Sequence, residues 1–249
     1  MSNYEQSPAI NQSALKMLLD KTPAHFYQAH FGESEPTKES DCLILGRATH
    51  CLVLEPQSFC DQFAQFEGGK RTKAGKEEYA ALVTSGKSVI SLKLLEQAEN
   101  VAAAIRNHPT ASKLLDGCET EVEVFGELEG VKTKSRLDAI KKNVIIDLKT
   151  CEDASPKGFQ RSIEKYHYDL QAAFYTDAAN AKSFVFIAVE KTAPYCIGIY
   201  FASESLLENG RRKSRKALET YKTCLETGDW YGYETNITEI DVSSWGIYE

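Results

Sequence analysis

Apolar residues recur at helical spacing in the first part of the chain and at every second position in its middle. The stretch from Ile10 to Leu19 carries a helical period that stops near Pro23, and CLILGRATHCLVLEP predicts a helix ended by Pro56. The segment from Phe66 to Val83 is basic and polar, and Leu92 to Arg106 has the spacing of an amphipathic helix. From Glu121 the period changes to two: EVEVFGEL, VKTKSRLDAI and NVIIDLKT predict successive strands separated by turn residues. A helical segment follows, IEKYHYDLQAAFYTDAANA, then strands SFVFIAVE and YCIGIYFA joined across a turn containing Pro194. A last helix runs from Glu204 to about Leu225 and is stopped at Gly228. This order predicts an α/β fold with a mixed central sheet flanked by helices after a helical N-terminal part. No internal repeat is present, and the only linker-like stretch is Gly32 to Asp41, so residues 1–249 read as one domain.

Composition narrows the class. With 42% hydrophobic residues in 249 there is ample material for a core, which excludes a disordered or fibrous chain. No apolar run approaches the ~20 residues of a bilayer span. MSNYEQSPAI lacks the basic start and apolar stretch of a signal peptide, so a cytoplasmic protein with no membrane partner is expected. The seven cysteines are odd in number and far apart with no CxxC pair, arguing against a disulfide framework, structural zinc or an iron–sulfur cluster.

The chemistry concentrates in NVIIDLKT. Alternation sets Ile145, Asp147 and Lys149 on one face and Val144, Ile146 and Leu148 on the other, so both faces carry bulky apolar residues. Such a strand is covered on both sides, where Asp and Lys are costly unless paired or bound. One strand earlier, Asp138 follows Lys132, Lys134 and Arg136 on one alternating face, which places two aspartates to meet across adjacent strands. Carboxylates brought together repel unless a cation or a proton lies between them, and a divalent metal is the natural solution. Taken alone, D-x-K reads more often as an ordinary strand-end salt bridge, with Asp138 capping a turn, since three-residue patterns are common. The next helix adds Tyr168, Gln171 and Tyr175 on one face, and the early helix groups Gly46, Arg47, His50 and Leu54. Rival chemistries lack their residues: GGKRTKAGK and SGKS do not complete a phosphate loop, and no GxSxG is present.

Asp138, then Asp147-Leu148-Lys149, then Gln171 with Tyr175 resembles the RecB-like branch of the PD-(D/E)XK nucleases, whose pattern is D, D-x-K-T, Q-x-x-x-Y. The resemblance narrows to RecE-type exonucleases (exodeoxyribonuclease VIII) through LLDKTPAHF, LGRATHCLVLEPQSF, RTKAGKEEY, AIRNHPTASKLL, YHYDLQAAFYTDA and YKTCLETGDWYGY, which span nearly the whole chain. It departs at Leu137 and Tyr231, where the family commonly has proline. The resemblance implies a restriction-endonuclease-like core whose metal ligands are Asp138, Asp147, the Leu148 carbonyl and His50. Glu121 or Glu123 would supply an acid from the preceding strand, Lys149 the catalytic lysine, and Gln171 and Tyr175 positioning. It implies Mg²⁺, with Mn²⁺ as a substitute that histidine suits better.

The implied activity is 5′-to-3′ digestion of linear double-stranded DNA, leaving 3′ single-stranded tails. Double-stranded DNA ends and a single-strand annealing protein are the implied partners, with a ring-like homo-oligomer. A relative acting on single-stranded or branched DNA, or a catalytically silent DNA-end binding module, are the alternatives. A net charge of −7 does not oppose DNA binding, because phosphate contacts depend on local charge. Arg47, Arg71, Lys73, Lys76, Lys134 and Arg136 are the candidate DNA contacts, whereas RRKSRK from Arg211 to Lys216 reads at least as well as a solvated helix surface.

Overall fold

The computed structural model describes residues 3–33, 39–68 and 72–241. Its N-terminal part holds α1 (Asn3–Gln6), α2 (Gln12–Asp20), α3 (Pro23–His30) and α4 (Asp41–Leu54), followed by a 3-10 turn and α5 (Phe59–Gln62). Asn11 caps α2 by accepting from the Ala14 amide, and Ser40 caps α4 by accepting from the Leu43 amide. Strand β1 (Phe63–Phe66), α6 (Lys73–Thr84) and β2 (Ser88–Ser91) come next, and β1 and β2 pair in parallel. That small sheet lies outside the sequence expectation, because four-residue strands are too short to display a period. Helices α7 (Leu92–Asn107) and α8 (Pro109–Leu115) complete this half.

The second half carries β3 (Glu119–Leu128), β4 (Val131–Lys141), β5 (Val144–Cys151), α9 (Pro156–Lys165), α10 (Tyr168–Ala178), β6 (Ser183–Glu190), β7 (Ile197–Phe201) and α11 (Glu204–Thr227). The five strands form one mixed sheet in the order β3-β4-β5-β6-β7, parallel only between β5 and β6. One face packs Leu137, Ile145, Phe184 and Phe186 against Leu15 of α2, Phe159 of α9 and Leu170 of α10. The other packs Ile146, Leu148 and Ile187 against Val101 and Ile105 of α7 and Leu54 of α4. Helices therefore cover both faces, as a strand apolar on both sides requires. Gly228 ends α11 at φ 71°, in the left-handed region that glycine occupies without a Cβ clash.

One expected helix is two. The segment starting at Ile163 breaks at Tyr166 and His167, and His167 sits at φ 50° before α10 begins. The histidine ring secures that turn: Nε2 lies 2.9 Å from Asp20 Oδ1 and Nδ1 lies 3.0 Å from Lys213 Nζ. Two short-range contacts thus offset a backbone conformation that disfavours any residue with a Cβ.

The feature that matters for chemistry is a parting of the sheet. Strands β4 and β5 pair over only Ala139↔Ile146, Ile140↔Ile145 and Lys141↔Val144, and then separate before Asp138 and Asp147. Strand β5 instead pairs with β6 along its whole length, from Val144↔Ser183 to Cys151↔Glu190. The β3–β4 ladder also omits one rung, between Thr120↔Ala139 and Val122↔Leu137. That rung is Glu121 opposite Asp138, and Glu121 stands at φ 51°. Inside–outside alternation changes there too: Leu137 joins one core face and Ala139 the other. Among the described residues no helix is long and apolar enough to cross a membrane, and all seven cysteines are free thiols.

Candidate active site

Asp147 is fully buried on β5, facing α10 and α2. Its Oδ1 accepts from Gln171 Nε2 at 2.8 Å, and its Oδ2 forms an ion pair with Lys149 Nζ. Lys16 of α2 donates from Nζ to Gln171 Oε1 at 3.2 Å. An ionised carboxylate can only accept, so the Gln171 amide turns its NH2 group to Asp147 and its oxygen to Lys16. Burial raises the Asp147 carboxyl above the ordinary aspartate range, against the pull of Lys149. Burial by itself would lower the Lys149 ammonium, but Asp147 and Asp138 outweigh it and hold its pKa up, so the pair is ionised. Lys149 and Lys16 also lie over the Tyr168 ring, 5.0 and 5.3 Å from its centroid. Burial first, then the neighbouring Lys149 ammonium, lowers Lys16 to about 7.

Across the parting lies Asp138. Its Oδ2 accepts the Leu148 amide at 2.8 Å, replacing a ladder bond that the separated strands cannot make. His50, from α4, has Nε2 2.9 Å from the Leu148 carbonyl oxygen. A carbonyl only accepts, so Nε2 carries a hydrogen, and Nδ1 faces Asp138 Oδ2, 3.5 Å away. Donor atoms of His50, Glu121 and Asp138 all fall within 4.8 Å of one another. Burial, then Asp138 and Glu55, pushes the Glu121 carboxyl up to about 7, against the pull of Arg136.

The Glu121 and Asp138 carboxylates repel when both are ionised, and a divalent cation between them removes that repulsion. Oxygen donors with one histidine suit Mg²⁺ and, better, Mn²⁺. The residues therefore fit a metal. The backbone carbonyl of Leu148, expected to be a ligand, here orients His50, a role typical of groups behind a metal-binding histidine. Asp147, expected to share the ion with Asp138, stands beside this three-residue group with both oxygens engaged by Gln171 and Lys149. Of the two acids on β3, Glu121 reaches the group. Glu123 pairs across the ladder with Arg136 instead.

Tyr175 is buried between the two halves of the site, and burial, with Asp138 and Asp147 behind it, raises its hydroxyl well above the ordinary tyrosine value. The site opens into a groove of about 880 Å³. Of the candidate DNA contacts, Arg47 and Arg136 line it. Arg47 is ion-paired to Glu39, and the Arg136 guanidinium lies 4.5 Å from the centre of the Tyr4 ring. Lys134 turns elsewhere, donating to the Tyr4 and Ser7 carbonyls at 2.8 and 2.7 Å and securing the N-terminal segment. Lys73 and Lys76 are exposed on α6 away from the groove lining, and Arg71 lies outside the described residues. Sequence reasoning missed Lys16, Arg161, Lys165 and Lys191. Their only signal is a basic residue within or beside a helix or strand, which does not distinguish them from ordinary surface charge.

Residues 11–238 match the family described as PDDEXK-like domain of unknown function (DUF3799). Among solved structures, a protein of Eubacterium rectale named "Putative exonuclease" is 17% identical, with a TM-score of 0.65 over 96% of this chain and 94% of that one. At that identity the likeness concerns the fold. A phage related exonuclease from Haemophilus somnus 129PT is 12% identical, covering 88% of this chain and 83% of that one, with a TM-score of 0.44. No curated protein matches. With most of its length matched, and with its aspartates and lysine disposed across a parted mixed sheet, the chain belongs to this PDDEXK-like family.

Proposed function

We propose that the protein is a metal-dependent nuclease that hydrolyses phosphodiester bonds at the ends of linear double-stranded DNA. One arrangement carries the reading: a metal-compatible trio of His50, Glu121 and Asp138 faces an ion-paired Asp147 and Lys149 across separated strands, beneath an open groove. The finer reading is a RecE-like exonuclease that digests from 5′ ends and leaves 3′ tails for annealing-type recombination. It is supported by the motif likeness along the chain, as are the ring-like homo-oligomer and the single-strand annealing partner.

Glu121, Asp138 and His50 would hold Mg²⁺ or Mn²⁺, with the Leu148 carbonyl and Asp147 bordering the ion. When bound, the ion supplies positive charge to a phosphodiester oxygen and acidifies water beside it. Lys149 orients the attacking water and neutralises charge gathering on the phosphate, and its pairing with Asp147 keeps it protonated for that task. Gln171, itself held by Lys16, fixes Asp147 so that Lys149 points the same way in every turnover. Tyr175 fills the space between the aspartates with a neutral hydroxyl and keeps bulk water out.

The test is digestion of linear duplex DNA labelled separately at its 5′ and 3′ ends, with Mg²⁺, Mn²⁺ or chelator, beside a closed circle and a single strand. Metal-dependent early release of the 5′ label with the circle intact is expected. Cutting of the circle removes the exonuclease reading, digestion of the single strand alone removes the double-stranded substrate, and absence of cleavage with either metal removes the nuclease reading.

A further inference from the structure

The helix α9 (Pro156–Lys165) has two unlike sides. Phe159 is buried against the sheet and Ile163 packs beside it. Arg161, Lys165 and Tyr166 turn the other way, exposed, and all three line the groove that holds the candidate active site. Arg161 and Lys165 stand one helical turn apart on a common face.

Two of the groove's cations and one on α11 are already matched. Arg47 pairs with Glu39, Lys191 with Glu152, and Arg211 with Asp177 and Glu204. Arg161 and Lys165, also in the groove lining, form no ion pair among the described residues, and the Lys165 ammonium lies 5.0 Å from the centre of the Tyr166 ring. In a chain of net charge −7, two unmatched cations side by side at the active groove suit an anionic ligand. Next to them Tyr166 is 48% exposed, its ring 5.6 Å from that of Tyr168, which in turn carries the Lys149 ammonium. A path of aromatic and cationic groups thus leads from solvent to the catalytic lysine. Alternating phosphate-binding cations and an exposed ring form the surface that grips unpaired nucleic acid, because inside a duplex the faces of every base except those of the end pair are covered by neighbouring bases.

We propose that this face of α9 is a single-strand subsite: Arg161 and Lys165 take backbone phosphates, and Tyr166 stacks a base of the strand being cut. The proposal rests on the nuclease reading and deepens it, since the duplex end must then be unpaired before it reaches Lys149.

The experiment places an abasic residue at successive positions from the end of a linear duplex. Binding is measured by fluorescence anisotropy in Ca²⁺, and KM and kcat in Mg²⁺, for the wild type and for Tyr166→Ala, Tyr166→Phe and Arg161→Ala/Lys165→Ala. At one position the wild type should lose about tenfold in affinity when the base is removed. Tyr166→Ala should bind intact DNA about tenfold more weakly and ignore the missing base, with the change in KM rather than kcat. Tyr166→Phe should restore wild-type behaviour, which a folding defect would not allow. The double variant should lower the slope of log K against log salt by about 1.4, as for two phosphates of a single strand. A wild type that cleaves linear DNA but is indifferent to the abasic site at every position overturns the subsite alone. So does a Tyr166→Ala variant with wild-type affinity, or a Tyr166→Phe variant that fails to rescue. A wild type that neither binds nor cleaves DNA overturns the nuclease reading and takes the subsite with it.

Discussion

The carboxylate of Asp138 accepts the backbone amide of Leu148 at 2.8 Å, so a single side chain closes the hydrogen-bond gap between two parted strands and faces the metal-compatible group. The two duties separate by substitution. Asp138→Ala strands the Leu148 amide and should cost about 1–3 kcal/mol in urea unfolding as well as eliminating cleavage. Asp138→Asn keeps an acceptor oxygen but not the charge. It should unfold at the wild-type midpoint while cleavage falls by at least about 100-fold. Equal stability of both variants would mean that the amide finds another acceptor.

Asp147 is fully buried, so removing Lys149 leaves its carboxylate without an opposing ammonium and with the Gln171 amide as its hydrogen-bond partner. Lys149→Met should destabilise by about 3–5 kcal/mol, and Asp147→Asn/Lys149→Met should recover much of that loss while remaining inactive. Denaturant titration of the set reads the recovery directly. If the double variant is less stable than Lys149→Met, the pair is not the source of the penalty.

Glu121 gives the metal-free protein a pH dependence of definite sign. Its folded pKa is raised from 4.5 to about 7, so between those values the folded state binds more protons than the unfolded chain. Stability therefore falls as pH rises through that window, and the loss is complete above about 7. Partial solvent exposure limits the effect to about 1–2 kcal/mol. In chelator, Glu121→Gln should remove this segment of the profile, gaining stability at pH 8 and little at pH 5. Unfolding midpoints at the two pH values check it, and a wild type that grows more stable across the window contradicts the assignment.

His50 offers a nitrogen donor that Mn²⁺ accepts more readily than Mg²⁺. His50→Ala should weaken Mn²⁺ binding by calorimetry about tenfold more than it weakens Mg²⁺ binding. Equal losses for both ions would assign the ring to support of the Leu148 carbonyl alone.

What the sequence disclosed followed from how far each signal repeats. Strands β3, β4, β5 and β6 and helices α4, α7 and α11 lie close to their expected bounds, because a period of two or of 3.6 runs long enough in each to be read. Strands β1 and β2 are too short for that. The break at His167 was hidden because the apolar pattern of α9 continues into α10 while the ring contacts that hold the turn come from Asp20 and Lys213, distant in sequence. At the site, Asp138, Asp147, Lys149 and Gln171 carry a spacing that local motifs preserve. The choice between Glu121 and Glu123 depends on a φ of 51° that no periodicity reveals. Lys16 and the face of α9 gain meaning only when the groove exists.

Helix α11 crosses α10 so closely at Gly210 that a Cβ there would lie 2.0 Å from the Asp169 carbonyl oxygen. Backbone cannot yield as a flexible side chain can, so Gly210→Ala should cost about 3 kcal/mol or more. Cleavage per folded molecule should fall as well, since Asp169 is two residues from Gln171, whose amide holds Asp147. A thermal scan beside an active-fraction assay decides, and a variant of wild-type stability would require the two helices to part freely.

The partial pairing of β5 also sets an order of events during synthesis. With three rungs on β4, β5 has its full-length partner only in β6, which ends at Glu190, and Asp147 obtains its amide from Gln171. A chain emerging from the ribosome thus carries His50, Glu121 and Asp138 long before the strand holding Asp147 and Lys149 can be anchored. A chain ending before Glu190 lacks the full partner strand of β5, and so lacks the support that places Asp147 and Lys149 beside the trio.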